Sequence, residues 1–186
     1  MVQRIITAAL LTTALTAPAT AGASEITTSR MCYLAGEVMV VSGTGFTPNT
    51  PLSVQGEGTT TLTGAADDSG AFTATLRTPS RASLGLTGMT PADLTITATD
   101  TASGDNASTV VSVALLGFHA SGGFMEASVT RTWEFSGWIL HPGKAIYGHY
   151  RFGGRTVANR RFGTPSGPCG TLTMRGSRRR RGRRTV

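Results

Sequence analysis

The feature that most constrains this chain is a two-residue rhythm. Residues 71–76 (AFTATL) alternate apolar and polar side chains, which places Phe72 and Leu76 on one face of a strand. Residues 94–98 (LTITA) alternate in the same way, and residues 37–42 (EVMVVS) are rich in β-branched side chains. Turn formers separate these runs. Residues 43–48 (GTGFTP) read as a tight corner with Phe46 as an aromatic plug. Residues 67–70 (DDSG) and 100–106 read as turns, because Asp bonds its own backbone and Gly supplies positive φ. With 52–54, 59–63 and 108–114, this makes about seven strands at ~8–12-residue spacing between 32 and 115, the pattern of a β-sandwich.

Composition excludes the main alternatives. Only 15% of the residues are charged and 24 are Gly, which disfavours a helical bundle. A 39% hydrophobic share is enough for a core, so a charge-driven disordered chain is excluded. Two Cys are too few for a disulfide-dense miniprotein. The length of 186 residues allows one or two domains.

A second unit is expected over 118–174. Its strands are read at 124–131, 133–139, 144–152, 155–162 and 169–174, with turns at 141–143, 153–154 and 165–168. Trp133, Phe135, Trp138, Tyr147, Tyr150 and Phe152 supply most of its aromatic mass. At ~55 residues the unit is short for a sandwich of ~100. Either it is a reduced sheet packed on the first unit, or its C-terminal strands are missing.

The two ends read differently. Arg4 precedes an apolar run at 5–15, and small residues follow at 19–23, the pattern of a cleaved secretory signal over residues 1–23. That run is too short to span a bilayer. Seven Arg lie between 175 and 184, in a tail of Gly, Ser and Arg that cannot pack a core. Residues 175–186 are therefore expected to be a disordered basic arm. The net charge of +7 conceals a gradient: −5 over 32–115, +4 over 116–174 and +7 in the tail. Such asymmetry points to an anionic neighbour for the C-terminal end.

Residues 32–50 (CYLAGEVMVVSGTGFTPNT) and the segment 67–76 resemble the opening of immunoglobulin-like domains in secreted actinobacterial proteins. Residues 133–143 (WEFSGWILHPG), 144–152 (KAIYGHYRF) and 155–172 resemble the second domain of the same tandem proteins. The resemblance covers about 32–175 and rests on turn and core residues. It implies extracytoplasmic Ig-like modules and transfers no catalytic residue. The chain departs from that pattern at the Arg-rich tail.

Reactive chemistry finds little support in the pattern. His119, His141 and His149 show no paired metal-ligand spacing. No G-x-S-x-G elbow is present. Cys169 could act as a nucleophile only with a partner such as His149. Asp67, Asp68, Asp93, Asp100 and Asp105 lie in expected loops, where turn formation is commoner than Ca²⁺ ligation. Cys32 and Cys169 lie 137 positions apart, one in each unit, and an exported protein allows them to pair. Two separate, partly buried thiols are the slightly favoured reading, since a bridge needs a Cα separation that sequence does not supply.

The expectation is thus an all-β chain: tandem Ig-like β-sandwich units after a cleaved signal peptide, with a disordered basic tail. It should be a non-enzymatic exported spacer or adhesion module at the cell surface or cell wall, without a cofactor. Arg178, Arg179, Arg180, Arg181, Arg183 and Arg184 are the expected contacts to an anionic cell-wall polymer or surface glycan. Another surface protein is a further candidate partner. Sequence-specific nucleic-acid readout is not expected, because the tail lacks interleaved aromatics. Trp138, Tyr147 and Tyr150 form a weaker expected partner face, since aromatics alternating on a strand often belong to a core. The alternative is a glycan-binding or accessory module of a polysaccharide-degrading system.

Overall fold

A computed structural model describes residues 23–122 and 130–176, which form strands, turns and loops without a helix. The first eight strands are β1 (Glu25–Thr28), β2 (Cys32–Leu34), β3 (Val38–Thr44), β4 (Pro51–Gly56), β5 (Leu62–Ala65), β6 (Phe72–Arg77), β7 (Ala92–Asp100) and β8 (Asn106–Ala114). They build two sheets, one ordered β1-β3-β6 and one ordered β2-β8-β7-β4-β5. Every pairing is antiparallel except that of β2 with β8.

Alternation sets the core between these sheets. On β3, Met39 and Val41 are buried while Val38 and Val40 face solvent. On β7, Leu94, Ile96, Ala98 and Asp100 all point inward. Val111 and Val113 of β8 and Leu52 and Val54 of β4 meet Ile26, Met39 and Val41 in one contiguous cluster. Each large aliphatic side chain buried here contributes on the order of 1.5–3 kcal/mol. The expected β-sandwich is therefore present in the first unit, with Phe72 and Leu76 both buried as the alternation requires.

The corner at 43–48 and the turn at 67–70 dock on each other. Phe46 and Phe72 pack edge to face at 5.3 Å between centroids. The Phe46 amide donates to the Gly70 carbonyl at 3.1 Å. Asp67 Oδ1 accepts from the Ser69 hydroxyl at 2.6 Å and from the Ser69 and Ala71 amides at 2.8 and 3.0 Å. These bonds hold the Asp67 carboxyl below its ordinary pKa.

At the end of β7, Asp100 is fully buried. Burial raises its pKa, but donors from the Ala102 amide (2.8 Å), the Ser103 amide (3.2 Å) and the Thr47 and Thr50 hydroxyls outweigh that and leave it well below the carboxylate range. Asp67 and Asp100 are thus committed to turn architecture. At the opposite corner, Arg30 pairs with Glu37 and stacks over the Tyr33 ring at 4.6 Å.

The remaining strands are β9 (Gly117–Ser121), β10 (Arg131–Ser136), β11 (Ile146–Phe152), β12 (Arg155–Gly163) and β13 (Leu172–Gly176). One sheet runs β13-β10-β9 and a two-stranded ribbon joins β11 to β12. On β10, Trp133 and Phe135 share a face, and both rings pack against Phe162 of β12, at 5.3 and 5.1 Å.

Several expectations need correction. The first sandwich begins before residue 32, because β1 pairs with β3 from Glu25↔Thr44 to Thr28↔Val41. The strand read at 59–63 lies at Leu62–Ala65. The strand β9 falls where none was read, while most of the strand read at 124–131 lies outside the described residues, as do the signal region 1–22 and the tail from 177 onward. The favoured reading of separate thiols is also overturned. Cys32 and Cys169 form a disulfide with a Cα–Cα separation of 5.2 Å.

The bridge joins the two units where Cys32, Ala114 and Cys169 are buried together with Ile139 against them. Around it, the Gly137 amide donates to the Cys169 carbonyl at 3.0 Å, and the Trp138 amide to that of Gly170 at 3.4 Å. Gly170, at φ +55°, lies directly against the Trp138 backbone, so this turn leaves no space for a side chain.

Candidate binding site

The second unit carries an open aromatic cleft between the β9–β10–β13 sheet and the β11–β12 ribbon. Its cause is local. Opposite Ile146 and Tyr147 stand Gly163 and Arg161, so Phe162 is an extra residue without a partner. A bulge of this kind re-aims a side chain. Here the Phe162 ring crosses Gly148, where a Cβ would collide with it, and reaches Trp133 and Phe135.

The resulting hollow has a volume of ≈ 250 Å³ and is lined by Phe118, Trp133, Phe135, Trp138, Tyr150 and Phe162, among others. Trp138 and Ile146 separate it from a second hollow of ≈ 370 Å³, bordered by Leu116, Leu140, His141, Lys144 and Pro165. Phe118, Leu140 and Phe152 are exposed by 60%, 65% and 81%, values that leave large apolar surface uncovered.

The ribbon's outward-facing side chains, beside the cleft that Tyr147 and His149 also border, are polar and basic. Tyr147 stands opposite Arg161, and His149 opposite Asn159. All four are exposed. His149 Nδ1 and Asn159 Oδ1 are 2.7 Å apart. Asn159 Oδ1 can only accept, so Nδ1 carries the proton. Arg151 donates to the Gly154 carbonyl at 2.9 Å and Arg161 to the Thr164 hydroxyl at 3.2 Å.

The last acidic residue of the sequence is Glu134, whereas Lys144, Arg151, Arg155, Arg160, Arg161 and Arg175 all follow it within the described region. Among the described residues the ion pair is Arg30–Glu37, so none of these six cations is paired to a carboxylate.

Trp138, Tyr147 and Tyr150, expected as a partner face, border one cleft in the structure. Trp138 is anchored by its indole N–H, which donates to the Gly117 carbonyl at 3.4 Å. Tyr147 and Tyr150 are exposed by 54% and 41%, so neither belongs to a core. Sequence reasoning missed Phe118 and Phe162, and it did not single out the ribbon arginines. A count of acidic residues beyond Glu134 would have found the latter.

Arg178, Arg179, Arg180, Arg181, Arg183 and Arg184 lie outside the described residues. Cys169 is withdrawn as a nucleophile, because its sulfur is bonded to Cys32. Among the described residues no group of three His, Cys, Asp or Glu stands close enough to hold a metal ion.

No protein family and no curated protein matches the chain. Among solved structures it is similar to the CARDB domain of the PF1109 protein from Pyrococcus furiosus, a structure solved in complex with di-metal ions. The two share 17% identity at a TM-score of 0.33, over 50% of this chain and 92% of that one.

Proposed function

We propose that this protein is a non-enzymatic, exported Ig-like module that binds an anionic polymer or glycan at the cell surface or cell wall. The observation that carries this reading is the coincidence, on one small unit, of an open aromatic cleft with six cations and no acidic residue after Glu134. Such a surface attracts anions over a distance and offers rings for contact at short range. The leader-like pattern at 1–23 and the Cys32–Cys169 bridge support an oxidising compartment outside the cytosol. The first sandwich then acts as a spacer, and the Arg178–Arg184 region adds sequence-independent electrostatic retention.

Retention of the full-length protein and of a form ending at Arg175 on purified cell walls, across a salt series, tests this. Retention should be salt-sensitive and weaker without the tail. Equal, salt-insensitive retention of both would overturn the electrostatic part.

The aromatic cleft also supports a second reading, a glycan-binding accessory module of a polysaccharide-degrading system. Binding to neutral sugars that survives high salt and is lost in Trp138→Ala would favour it over the first.

A further inference from the structure

Beside the cleft, whose edge Tyr147 and His149 also form, the outward-facing side chains of the β11–β12 ribbon have their own chemistry. We propose that this outer face, built on Tyr147, Arg161, His149 and Asn159, is a binding site for an anionic polysaccharide chain. The inference rests on the exported-binder reading above and names the ligand class and the residues that read it.

Three kinds of recognition group meet in two adjacent cross-strand pairs. Arg161 presents a guanidinium fork, suited to bidentate contact with a carboxylate. Tyr147, directly opposite, exposes a ring with an apolar body and a hydroxyl tip, suited to the face and rim of a sugar. The next pair reads hydroxyls. With Nδ1 donating to Asn159, the His149 ring keeps Nε2 free for a hydroxyl, and the Asn159 amide nitrogen remains a donor. A sugar hydroxyl both donates and accepts, so it satisfies both groups.

Arg151 and Arg155 extend the positive charge toward the ribbon tip, with no carboxylate on the ribbon to oppose an acidic ligand. This charge complementarity selects an anion, and the His149–Asn159 pair selects one bearing hydroxyls. A two-stranded ribbon with both strands exposed admits a chain laid across it, as a polymer requires. The disulfide and leader pattern favour a polysaccharide over a nucleic acid.

Affinity electrophoresis of the full chain tests the proposal, with polygalacturonate, neutral dextran, polyphosphate and single-stranded DNA each embedded in the gel. The variants are Tyr147→Ala/Arg161→Gln and, separately, Asn159→Ala. All are exposed positions, and circular dichroism checks the fold of each.

Polygalacturonate should retard the wild type, and dextran should not. The double variant should lose about tenfold in affinity for polygalacturonate. Asn159→Ala should weaken polygalacturonate binding while leaving polyphosphate binding unchanged, because only the former has hydroxyls. Equal binding of polygalacturonate by wild type and both variants would overturn the ribbon site while leaving the broader reading standing on the tail. Polyphosphate binding weakened by Asn159→Ala as much as polygalacturonate binding would also overturn it. A wild type retarded by none of the anionic polymers, and not retained on walls, would remove both readings together.

Discussion

Cys32 and Cys169 are covalently joined across 137 positions, and their bridge is buried at the junction of the two β-units. Cys32 opens β2 and Cys169 lies in the turn before β13, so the bond ties the second strand of the first sandwich to the segment before the last strand of the second unit. Closing so long a loop restricts the unfolded chain more than the folded one. In the chain-entropy description this is worth about 4–5 kcal/mol. Cys32→Ser/Cys169→Ser should therefore lower the denaturant midpoint strongly. The wild type under reducing conditions should follow the double variant. Coincident unfolding curves with and without reductant would contradict this.

The Phe46–Phe72 contact makes a second prediction. Phe72 lies at the start of β6 and Phe46 in the corner after β3, with Gly43 beneath both rings. A Cβ at position 43 would collide with the Phe72 ring. Phe72→Ala should cost about 3–5 kcal/mol, as aromatic truncation in a packed core does. Gly43→Ala should destabilise too, by overpacking the same spot. Urea unfolding of the two variants, compared by midpoint and slope, measures both. An unchanged midpoint in either would refute the corresponding claim.

How much of this was legible beforehand depended on the range of the signal. The inward set Phe72 and Leu76 followed from local alternation, and the plug role of Phe46 from its place in the corner between Gly45 and Pro48. β1 escaped notice because its four residues offer one buried apolar side chain, Ile26, and the rest of its definition is backbone pairing with β3. β9 is mostly exposed and lacks an apolar rhythm. The disulfide depends on a tertiary distance that no local pattern encodes. Trp138, Tyr147 and Tyr150 stood out as aromatics, but their shared cleft depends on a bulge that turns Phe162 inward, and register is not visible in composition.

Asp67 and Asp100 set the acid sensitivity of the first sandwich. Both carboxyls sit below their ordinary value of 3.8. For a depressed pKa, the folded state binds fewer protons than the unfolded state. The stabilisation is therefore complete above the unfolded pKa and is lost as pH falls through the folded one. Stability should be flat in these groups from neutrality to about pH 5 and should decline below about pH 4. Asp67→Asn should be less stable than wild type at neutral pH, and the difference should shrink as pH falls. A gap that widened on acidification would show the wrong sign. Denaturant midpoints at a series of pH values read the effect.

Two buried hydroxyls should respond oppositely to removal. Thr78 is 2% exposed, and its hydroxyl lies 2.7 Å from the Leu34 carbonyl and 3.1 Å from that of Glu37, as a donor to both. It thereby fastens the end of β6 to the turn between β2 and β3. Ser136 is fully buried at the end of β10, and its Oγ has no hydrogen-bond partner among the described residues. A buried hydroxyl without a partner has lost water and gained nothing in return. Ser136→Ala removes that cost at the loss of little volume, so it should be neutral or stabilising by up to about 1 kcal/mol. Thr78→Val keeps the shape but removes the hydroxyl bond, while the Leu34 and Glu37 carbonyls keep the Glu37 and Thr78 amides as donors, and should destabilise by about 0.5–1.5 kcal/mol. Paired thermal melts of the two variants decide the point. The contrast fails if Ser136→Ala proves the more damaging of the pair.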